Sequence, residues 1–454
     1  MTGVTTAARI ARDIEAHIIT AGWPVGTAIG KEDELGERFG ASRSVVREAI
    51  RLAEHHRVLR AQRGVGGGLY VCAPDAGPAV RAVLIYLDYI GVDLGALTDA
   101  RALLEPLAAS LAAQRLTEQG IRDVRRAVRA EGQGADLDAG AQDRLHLLVG
   151  ELSGNPALRL FVEVLIRLTP QYTRPRVPQH RKATVHSRHG DIGEAIAGGD
   201  PARAEVAMEQ HMAEVGSWLA ANPRRGARTW LSWDENADGE GKQAEVVALR
   251  VHDEIVRRGW PVGSVIASEA ELVERHDTSR NVLRQAVRLL EYHSVARMRR
   301  GRGGGLVVLQ PHPGACVDTM ALYLSYRSVS DDDLVSTRQA IESSLVRRLA
   351  GMSGEDRLAT SARSATLDEV VTEGSPGNFH VGLAEAAGNP VLALFLEILI
   401  EVRRRGAPVG EPSGVSDEGC VEEHRGIVGA IRAGDGDLAR HRMRKHLHAR
   451  PACR

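Results

Sequence analysis

The pentapeptide GWPVG stands at residues 22–26 and again at 259–263, and this recurrence limits the fold more than any other feature of the sequence. Five matched positions that include Trp and Pro seldom repeat by chance. The register they set, an offset of 237, brings ASRSVVREAIRLAEHHRV at 41–58 onto TSRNVLRQAVRLLEYHSV at 278–295, and RGVGGGLYV at 63–71 onto RGRGGGLVV at 300–308. LHLLVGELSGNPAL at 145–158 then meets FHVGLAEAAGNPVL at 379–392 at an offset of 234, and RHGDIGEAIAGGD at 188–200 meets EHRGIVGAIRAGD at 423–435 at an offset of 235. One unit of a little over two hundred residues is therefore written twice. Its period is far too long for a solenoid, whose repeats run to ~20–45 residues. Whatever the unit folds into, the chain must fold it twice. The polar, Gly-containing stretch 222–243 joins the copies and reads as a linker.

Composition excludes several classes. A net charge of −1 gives no overall basic field for nucleic acid, so charge has to be read locally. Cys72, Cys316, Cys420 and Cys453 form no CxxC pair, which suggests neither a zinc ribbon nor a disulfide framework. The N-terminal stretch lacks an apolar signal core. The greasiest runs, ALRLFVEVLIRL and VLALFLEILIEV, are interrupted by Glu or Arg and are too short to span a bilayer. They read as buried helices of a cytoplasmic protein with no membrane partner.

The opening of each copy has a recognisable layout. Ile10, Ile14 and Ile18, four apart, mark one face of a helix that GWPVG ends. A second short helix follows, KEDELGERF in copy one and SEAELVERH in copy two. Ser268, with Glu271 three residues on, forms a capping box, whereas copy one has Lys31 at that place. A tight turn, GAS or DTS, leads into a third helix from Ser42 or Ser279. Helix, short turn, helix is the layout of a helix-turn-helix. VLRAQRGVGGGLYV then reads as two short strands around a Gly-rich turn, as a wing would. The runs GVGGG and GRGGG look like phosphate cradles, but a cradle must open a helix. Here the strand-like LYV and LVV follow.

Local charge supports DNA contact. Arg43, Arg47, Arg51, Arg57, Arg60 and Arg63 stand against Glu48 and Glu54. Arg280, Arg284, Arg288, Arg297, Arg299, Arg300 and Arg302 stand against Glu291 alone. The neutral chain thus hides two basic patches of the kind that neutralise phosphates. A charge run by itself is more often a solvated helix face. Coincidence with a helix-turn-helix outline and a wing, twice, favours DNA.

Residues 78–221 and 313–450 read as helices with short loops, an all-helical bundle in each copy. Three histidines recur in each: His146, His189 and His211, then His380, His424 and His446, with spacings of 43 and 22, then 44 and 22. A lone His is usually a packed or exposed residue. Three kept while their surroundings diverge suit a transition-metal ion held by neutral imidazoles from different helices.

The opening part of each copy resembles the GntR family of bacterial transcription regulators. The resemblance lies in GWPVG, in Glu32, Glu34 and Leu35, and in Gly40, Ser42, Arg43, Val46, Arg47, Glu48 and Gly64. It implies DNA contacts from Ser42, Arg43, Ser44, Arg47, Arg63 and Gly64 in copy one. In copy two it implies them from Ser279, Arg280, Asn281, Arg284, Arg300 and Gly301. Copy two departs from the pattern with Gln285 in place of the usual Glu. Ser44 against Asn281 differs at a base-reading position, so non-identical half-sites are expected.

The later part of each copy resembles the FCD effector domains of that family, through RALLEPLAASLA at 101–112, His146 with Asn155 and Pro156, and His189 with Gly199, Asp200 and His211. The resemblance implies a divalent metal, zinc or similar, held by the three histidines of each copy and an Asp one helical turn before the first. That place is taken by Gln142 in copy one and Pro376 in copy two, and Asp143 is turned about 100° away on an ideal helix. A three-His site completed by water or effector is the expectation. Arg101 and Arg338 match the family's inward-facing Arg, which would clamp an effector carboxylate. The competing reading pairs them with Glu105 and Glu342, one turn along.

The expected fold is mainly α. Winged helix-turn-helix domains cover 5–75 and 244–310, helical effector domains cover 78–221 and 313–450, and 222–243 links the copies. The expected function is transcription regulation on a pseudo-palindromic double-stranded operator, modulated by a small carboxylate effector. The halves would act as an intramolecular pseudo-dimer, with further homodimerisation open to it. The rival is a metal-dependent enzyme working on a small molecule through the three-His pockets. A catalytic metal usually has a general base nearby, and no nucleophile constellation accompanies these histidines.

Overall fold

A computed structural model of the chain describes residues 6–62, 67–74, 76–133, 139–171, 179–222, 240–301, 303–352, 376–406 and 418–449. The first copy opens with α1 (Thr6–Thr20), which buries the Ile10, Ile14 and Ile18 stripe. GWPVG then acts as a clasp. Gly22 and Trp23 both take positive φ, 73° and 55°, and the Trp23 indole donates to the Cys72 carbonyl at 2.8 Å. The turn after α1 is thereby tied to the far end of the sheet. The second GWPVG does the same, with φ of 74° and 52° at Gly259 and Trp260 and the Trp260 indole on the Leu309 carbonyl at 2.9 Å. The repeated pentapeptide is therefore structural.

After the clasp come β1 (Ala28–Gly30), α2 (Glu32–Phe39), α3 (Arg43–His55), β2 (Leu59–Gln62) and β3 (Gly68–Val71). The strands form an antiparallel sheet in the order β1-β3-β2, with Ala61 opposite Leu69. This is the expected winged helix-turn-helix, and the glycine run feeds strand β3 rather than a helix. The helical connection α4 (Ala76–Tyr89) leads to α5 (Leu94–Gln114), α6 (Glu118–Gln133), α7 (Ala139–Leu152), α8 (Pro156–Leu168), α9 (Gln179–Ala197) and α10 (Pro201–Ala221). Asp93, Asn155 and Asp200 cap α5, α8 and α10 by accepting from backbone N–H groups of the first turn. The bundle is built around α5, which packs against α7, α8, α9 and α10. Its buried positions include Ala100, Ala108, Ala109 and Ala112, small enough for close helix approach.

The second copy repeats the order with α11 (Glu240–Arg257), α12 (Glu269–Arg275), α13 (Arg280–Tyr292), β4 (Ala296–Arg299), β5 (Gly305–Val308) and α14 (Pro313–Tyr326). Its bundle comprises α15 (Asp331–Gly351), α16 (Pro376–Ala386), α17 (Pro390–Gly406), α18 (Glu418–Arg432) and α19 (Gly436–Ala449). The place of β1 is taken by one bridge, Val265 to Val307, the same pairing as Ala28 with Tyr70 in the first sheet. Ser268 caps α12 with the full box, its hydroxyl accepting from Glu271 N at 3.3 Å and Glu271 accepting from Ser268 N at 2.7 Å. Lys31 supplies no side-chain cap to α2, and only the Glu34 half of the box forms. Residues 223–239 of the joining stretch lie outside the described residues, and α11 starts at Glu240. Among the described residues, no helix is long and apolar enough to cross a membrane. Cys72 and Cys316 form no disulfide, whereas Cys420 is disulfide-bonded, a bridge that cysteine spacing did not reveal.

The chain divides into two compact units, one holding both sheet-bearing heads together with the end of α17 from Glu401, and one holding the rest of both bundles. In the bundle unit the copies meet through equivalent residues. Asn155 Nδ2 donates to the Asp333 carbonyl at 3.1 Å, and Asn389 Nδ2 donates to the Ala96 carbonyl at 3.1 Å. In the repeat, Asn389 corresponds to Asn155 and Asp333 to Ala96. Phe161 and its counterpart Phe395 stack on each other, with centroids 4.0 Å apart and planes 2° from parallel. Residue i touching j while j touches i is the signature of a two-fold interface, here within one chain. In the head unit, the core of the first head includes Leu322 of α14, and Tyr326 meets Trp23 edge-on at 5.4 Å. Arg405 joins Glu15 of α1 at 3.2 Å and Asp318 of α14 at 2.6 Å, both within that unit.

Burial lowers the pKa of His252, beside Trp260 in the second head, to about 3. An imidazole that stays neutral when folded but takes a proton near pH 6.5 when unfolded makes stability fall in acid. The contribution is whole above about pH 6.5 and drains away as pH drops towards 3. His276 in this head is shifted the same way, again chiefly by burial. Denaturant midpoints measured against pH should therefore fall below 6.5, and His252→Leu should flatten that slope without abolishing it.

Candidate metal centres and nucleic-acid interface

Helix α3 turns Val46, Ala49, Ile50 and Ala53 into the core of the first head, and this directs its other face outward. Ser42, Arg43, Ser44 and Arg47 all lie on that exposed face. Arg43 pairs with Asp33 at 2.9 Å and Arg47 with Glu32 at 2.7 Å, both anions coming from α2. Exposed pairs of this kind are worth ~0–1 kcal/mol, so they leave both guanidinium groups open to exchange for another acceptor at little cost. The second head repeats the arrangement. Ser279, Arg280, Asn281 and Arg284 are exposed at the start of α13, and Arg284 reaches Glu269 at 3.0 Å. Arg300 and Gly301, the latter with φ of 98°, are exposed at the tip between β4 and β5. Arg63 and Gly64, named for the first wing, lie outside the described residues.

In each bundle the three histidines converge. His146 comes from α7, His189 from α9 and His211 from α10, and all are buried. His189 Nε2 lies 3.2 Å from His211 Nε2, which lies 3.3 Å from His146 Nε2. Carboxylates hold the outer nitrogens. Glu105 faces His146 Nδ1, and Glu131 of α6 faces His189 Nδ1 at 2.7 Å. A neutral imidazole has one proton, and a carboxylate at Nδ1 keeps it there. The Nε2 atoms of His146 and His189 then present lone pairs inward. His211 can donate from Nε2 to only one of them, so one approach is left lone pair against lone pair. A cation resolves that conflict. Around zinc at ~2.0–2.1 Å, tetrahedral ligand nitrogens stand about 3.4 Å apart, close to the separations here.

Electrostatics favour the same state. Burial lowers the pKa of His146 and of His211, so the imidazoles resist protonation. Burial alone would raise Glu105, but Arg101 and His146 outweigh it and hold the carboxyl far below its usual range. Arg101 Nε donates to Glu105 at 2.5 Å and its Nη1 to Thr169 Oγ1 at 3.1 Å. Of the two readings of Arg101, the pair with Glu105 is thus present, and Glu105 links that Arg to the histidines.

The second bundle builds a related centre from α15, α16, α18 and α19. His380 Nδ1 meets Glu342, His446 Nδ1 meets Glu423 at 2.8 Å, and His424 Nε2 lies 3.2 Å from His446 Nε2. Arg338 Nε donates to Glu342 at 2.8 Å, while its buried Nη2 has no hydrogen-bond partner. Burial lowers His380 and His424, and Glu342 stays low because Arg338 and His380 outweigh its desolvation. Among the described residues, these two triads are the only groups of three or more His, Cys, Asp or Glu placed to share an ion. Asp143 is only partly buried and joins neither. Pro376 sits at the start of α16 and offers no ligand atom, and the Gln142 side chain is outside what is described.

Sequence reading named Glu105 and Glu342 as partners of Arg101 and Arg338, but it did not find that they, with Glu131 and Glu423, orient the rings. For Glu105 and Glu342 a signal existed, since an Arg four residues before a Glu recurs on the same helix of both copies. Glu131 had none, because residues 353–375, where its counterpart would fall, carry no matching motif.

Comparison with known proteins agrees with the domain layout. The FCD domain model matches residues 96–214 and 333–449, and the model of bacterial regulatory proteins, gntR family, matches residues 6–69. The galactonate operon transcriptional repressor of Escherichia coli K12 is 27% identical over 209 residues, covering 42% of this chain and 88% of that protein. A putative HTH-type regulator, RmpR, of Mycobacterium gastri is 30% identical over 219 residues, 46% of this chain and 78% of the relative. A putative L-lactate dehydrogenase operon regulatory protein of E. coli K12 is 28% identical over 218 residues, 45% and 83%. Each relative is thus about one copy long. A solved structure, Streptococcus agalactiae GntR, aligns at 22% identity and a TM-score of 0.36 over 47% of this chain and 99% of that one. These relatives are regulators, and the enzyme reading finds no support among them. The gntR match falls on the first head alone, so two complete copies of the family's architecture are matched only in their FCD domains.

Proposed function

Because this chain belongs to the gntR family of bacterial regulatory proteins and carries two FCD domains, we propose that it is a transcription regulator in which one chain does the work of a dimer. The observation that carries this reading is the reciprocal contact of Asn155 and Asn389 with the opposite bundle. It gives the two bundles a two-fold relation without a second chain. The second head is read as a DNA-binding partner of the first. It keeps the same clasp, the same exposed helix face and the same Arg–Glu pair. The contacts proposed are Ser42, Arg43, Ser44, Arg47, Arg63 and Gly64 on one half-site, and Ser279, Arg280, Asn281, Arg284, Arg300 and Gly301 on the other. Since Ser44 and Asn281 differ in length and in donor and acceptor pattern, the half-sites should differ too. The test is to incubate the protein with sheared DNA from its source genome and sequence what is retained. A two-part motif of unequal halves is expected, and recovery of fragments with no common motif would refute the reading.

In each bundle the three histidines would hold a divalent metal such as zinc, with Glu105, Glu131, Glu342 and Glu423 keeping the rings oriented. Bound there, the metal would supply a Lewis-acid centre for an anionic ligand. Arg101 and Arg338 would meet the carboxylate of a small effector, and the unpartnered, buried Nη2 of Arg338 favours this. The relatives named for galactonate and L-lactate operons point to the hydroxycarboxylate class. Glu105→Gln leaves the shape intact but removes the charge that fixes His146. It should weaken zinc binding at the first centre ~10–100-fold, read by competition with a chromophoric chelator. Unchanged affinity would show that Glu105 serves only to neutralise Arg101.

A further inference from the structure

The two three-His centres are not equivalent. One turn before His189 stands Val185, buried and apolar. One turn before His424, at the corresponding place, stands Cys420, also buried. Its Sγ lies 3.7 Å from His424 Nε2, the same nitrogen that faces His446 Nε2 at 3.2 Å. His380 Nε2 closes the group from a third helix, fully buried and without a hydrogen-bond partner. Zinc with ~2.3 Å bonds to sulfur and ~2.0–2.1 Å bonds to nitrogen sets a tetrahedral S···N edge of about 3.6 Å. The separation at Cys420 matches that edge.

We propose that Cys420 is the fourth ligand of the second centre, which makes it a Cys–His₃ site for zinc or a similar divalent ion, while the first centre keeps an open position. This rests on the reading that the histidines hold a metal. Cys420 is disulfide-bonded in the structure, and a disulfide sulfur cannot serve as a thiolate ligand. A dithiol reductant must first give two electrons and two protons to the disulfide, becoming a disulfide itself and leaving two thiols. The Cys420 thiol then loses its proton to solvent as the cation binds. Two consequences follow. The second bundle reports redox state through its metal, and the first does not. With Cys420 reduced and bound, the second centre leaves no metal position for an effector carboxylate, so a carboxylate there would meet Arg338 without the metal, whereas the first bundle offers both Arg101 and the metal.

The test uses the full chain with Co²⁺ as the probe. Reduced protein should take up two equivalents and show both the visible d–d absorption of cobalt and an intense near-ultraviolet sulfur-to-cobalt charge-transfer band. Oxidising the same sample with a disulfide should abolish that band and leave the first site's d–d absorption. This arm needs no variant. Cys420→Val, which copies Val185 and so suits the packing of such a bundle, should lose the band in reduced protein. Cobalt uptake without a charge-transfer band in the reduced wild type overturns the cysteine assignment alone, and so does an undiminished band in Cys420→Val. No cobalt uptake in either redox state overturns the metal reading along with it.

Discussion

Changing Arg47 and Arg284 to Ala together should cost sequence-specific DNA binding roughly thirty-fold to more than ten-thousand-fold. A base-reading Arg is worth ~1–3 kcal/mol, and two that act on separate half-sites should add. Both side chains are well exposed, at 61% and 67%, and each gives up only a surface ion pair with Glu32 or Glu269. The variants should therefore fold as the parent does, and the loss should appear in affinity alone. The single variants are more telling. Arg47→Ala should relax the base preference of one half-site and Arg284→Ala that of the other, seen by competition between duplexes mutated in one half at a time. An Arg284→Ala protein with unaltered preference in both halves would show that the second head does not read bases.

Phe161→Ala should lower stability by ~3–5 kcal/mol, the usual range for a fully buried Phe cut back to Ala. Neither Phe161 nor Phe395 has exposed surface, and each ring is the other's neighbour across the interface between the bundles. The same cost is expected for Phe395→Ala. The double variant should lose less than the two costs combined, because the shared ring contact, ~0.5–1.5 kcal/mol, can be removed only once. Denaturant midpoints of the four proteins give the cycle. Strict additivity, or a wild-type midpoint for the single variants, would mean that the rings do not meet in solution.

How much of this was legible in the sequence depended on whether a feature existed in two copies. The duplication exposed GWPVG, the turn into α3 and the six histidines, because residues tied to backbone geometry or to a shared centre survive while their neighbours change. The clasp shows why: Trp23 and Trp260 take a positive φ that few side chains tolerate, and each indole closes its head. Periodicity found the helices but missed β1, since three residues cannot establish an alternation. Cys420 was silent for the opposite reason to the histidines, since Val185 stands at its place in the other copy, and Glu131 was silent because its partner, His189, lies far along the chain. The contacts between the bundles were equally out of reach. Asn155 caps α8, and its second role on the Asp333 carbonyl needs the fold.

In the proposed arrangement one chain supplies both halves of an operator-binding pair. Its most direct test is the mass of the protein–DNA complex by light scattering, on a duplex recovered from the genomic selection, together with a footprint of the same complex. One chain per duplex, protecting two lobes that shrink to one in Arg47→Ala or in Arg284→Ala, is the expected result. A complex that forms only with two chains, protecting lobes that respond to Arg47→Ala alone, would contradict it.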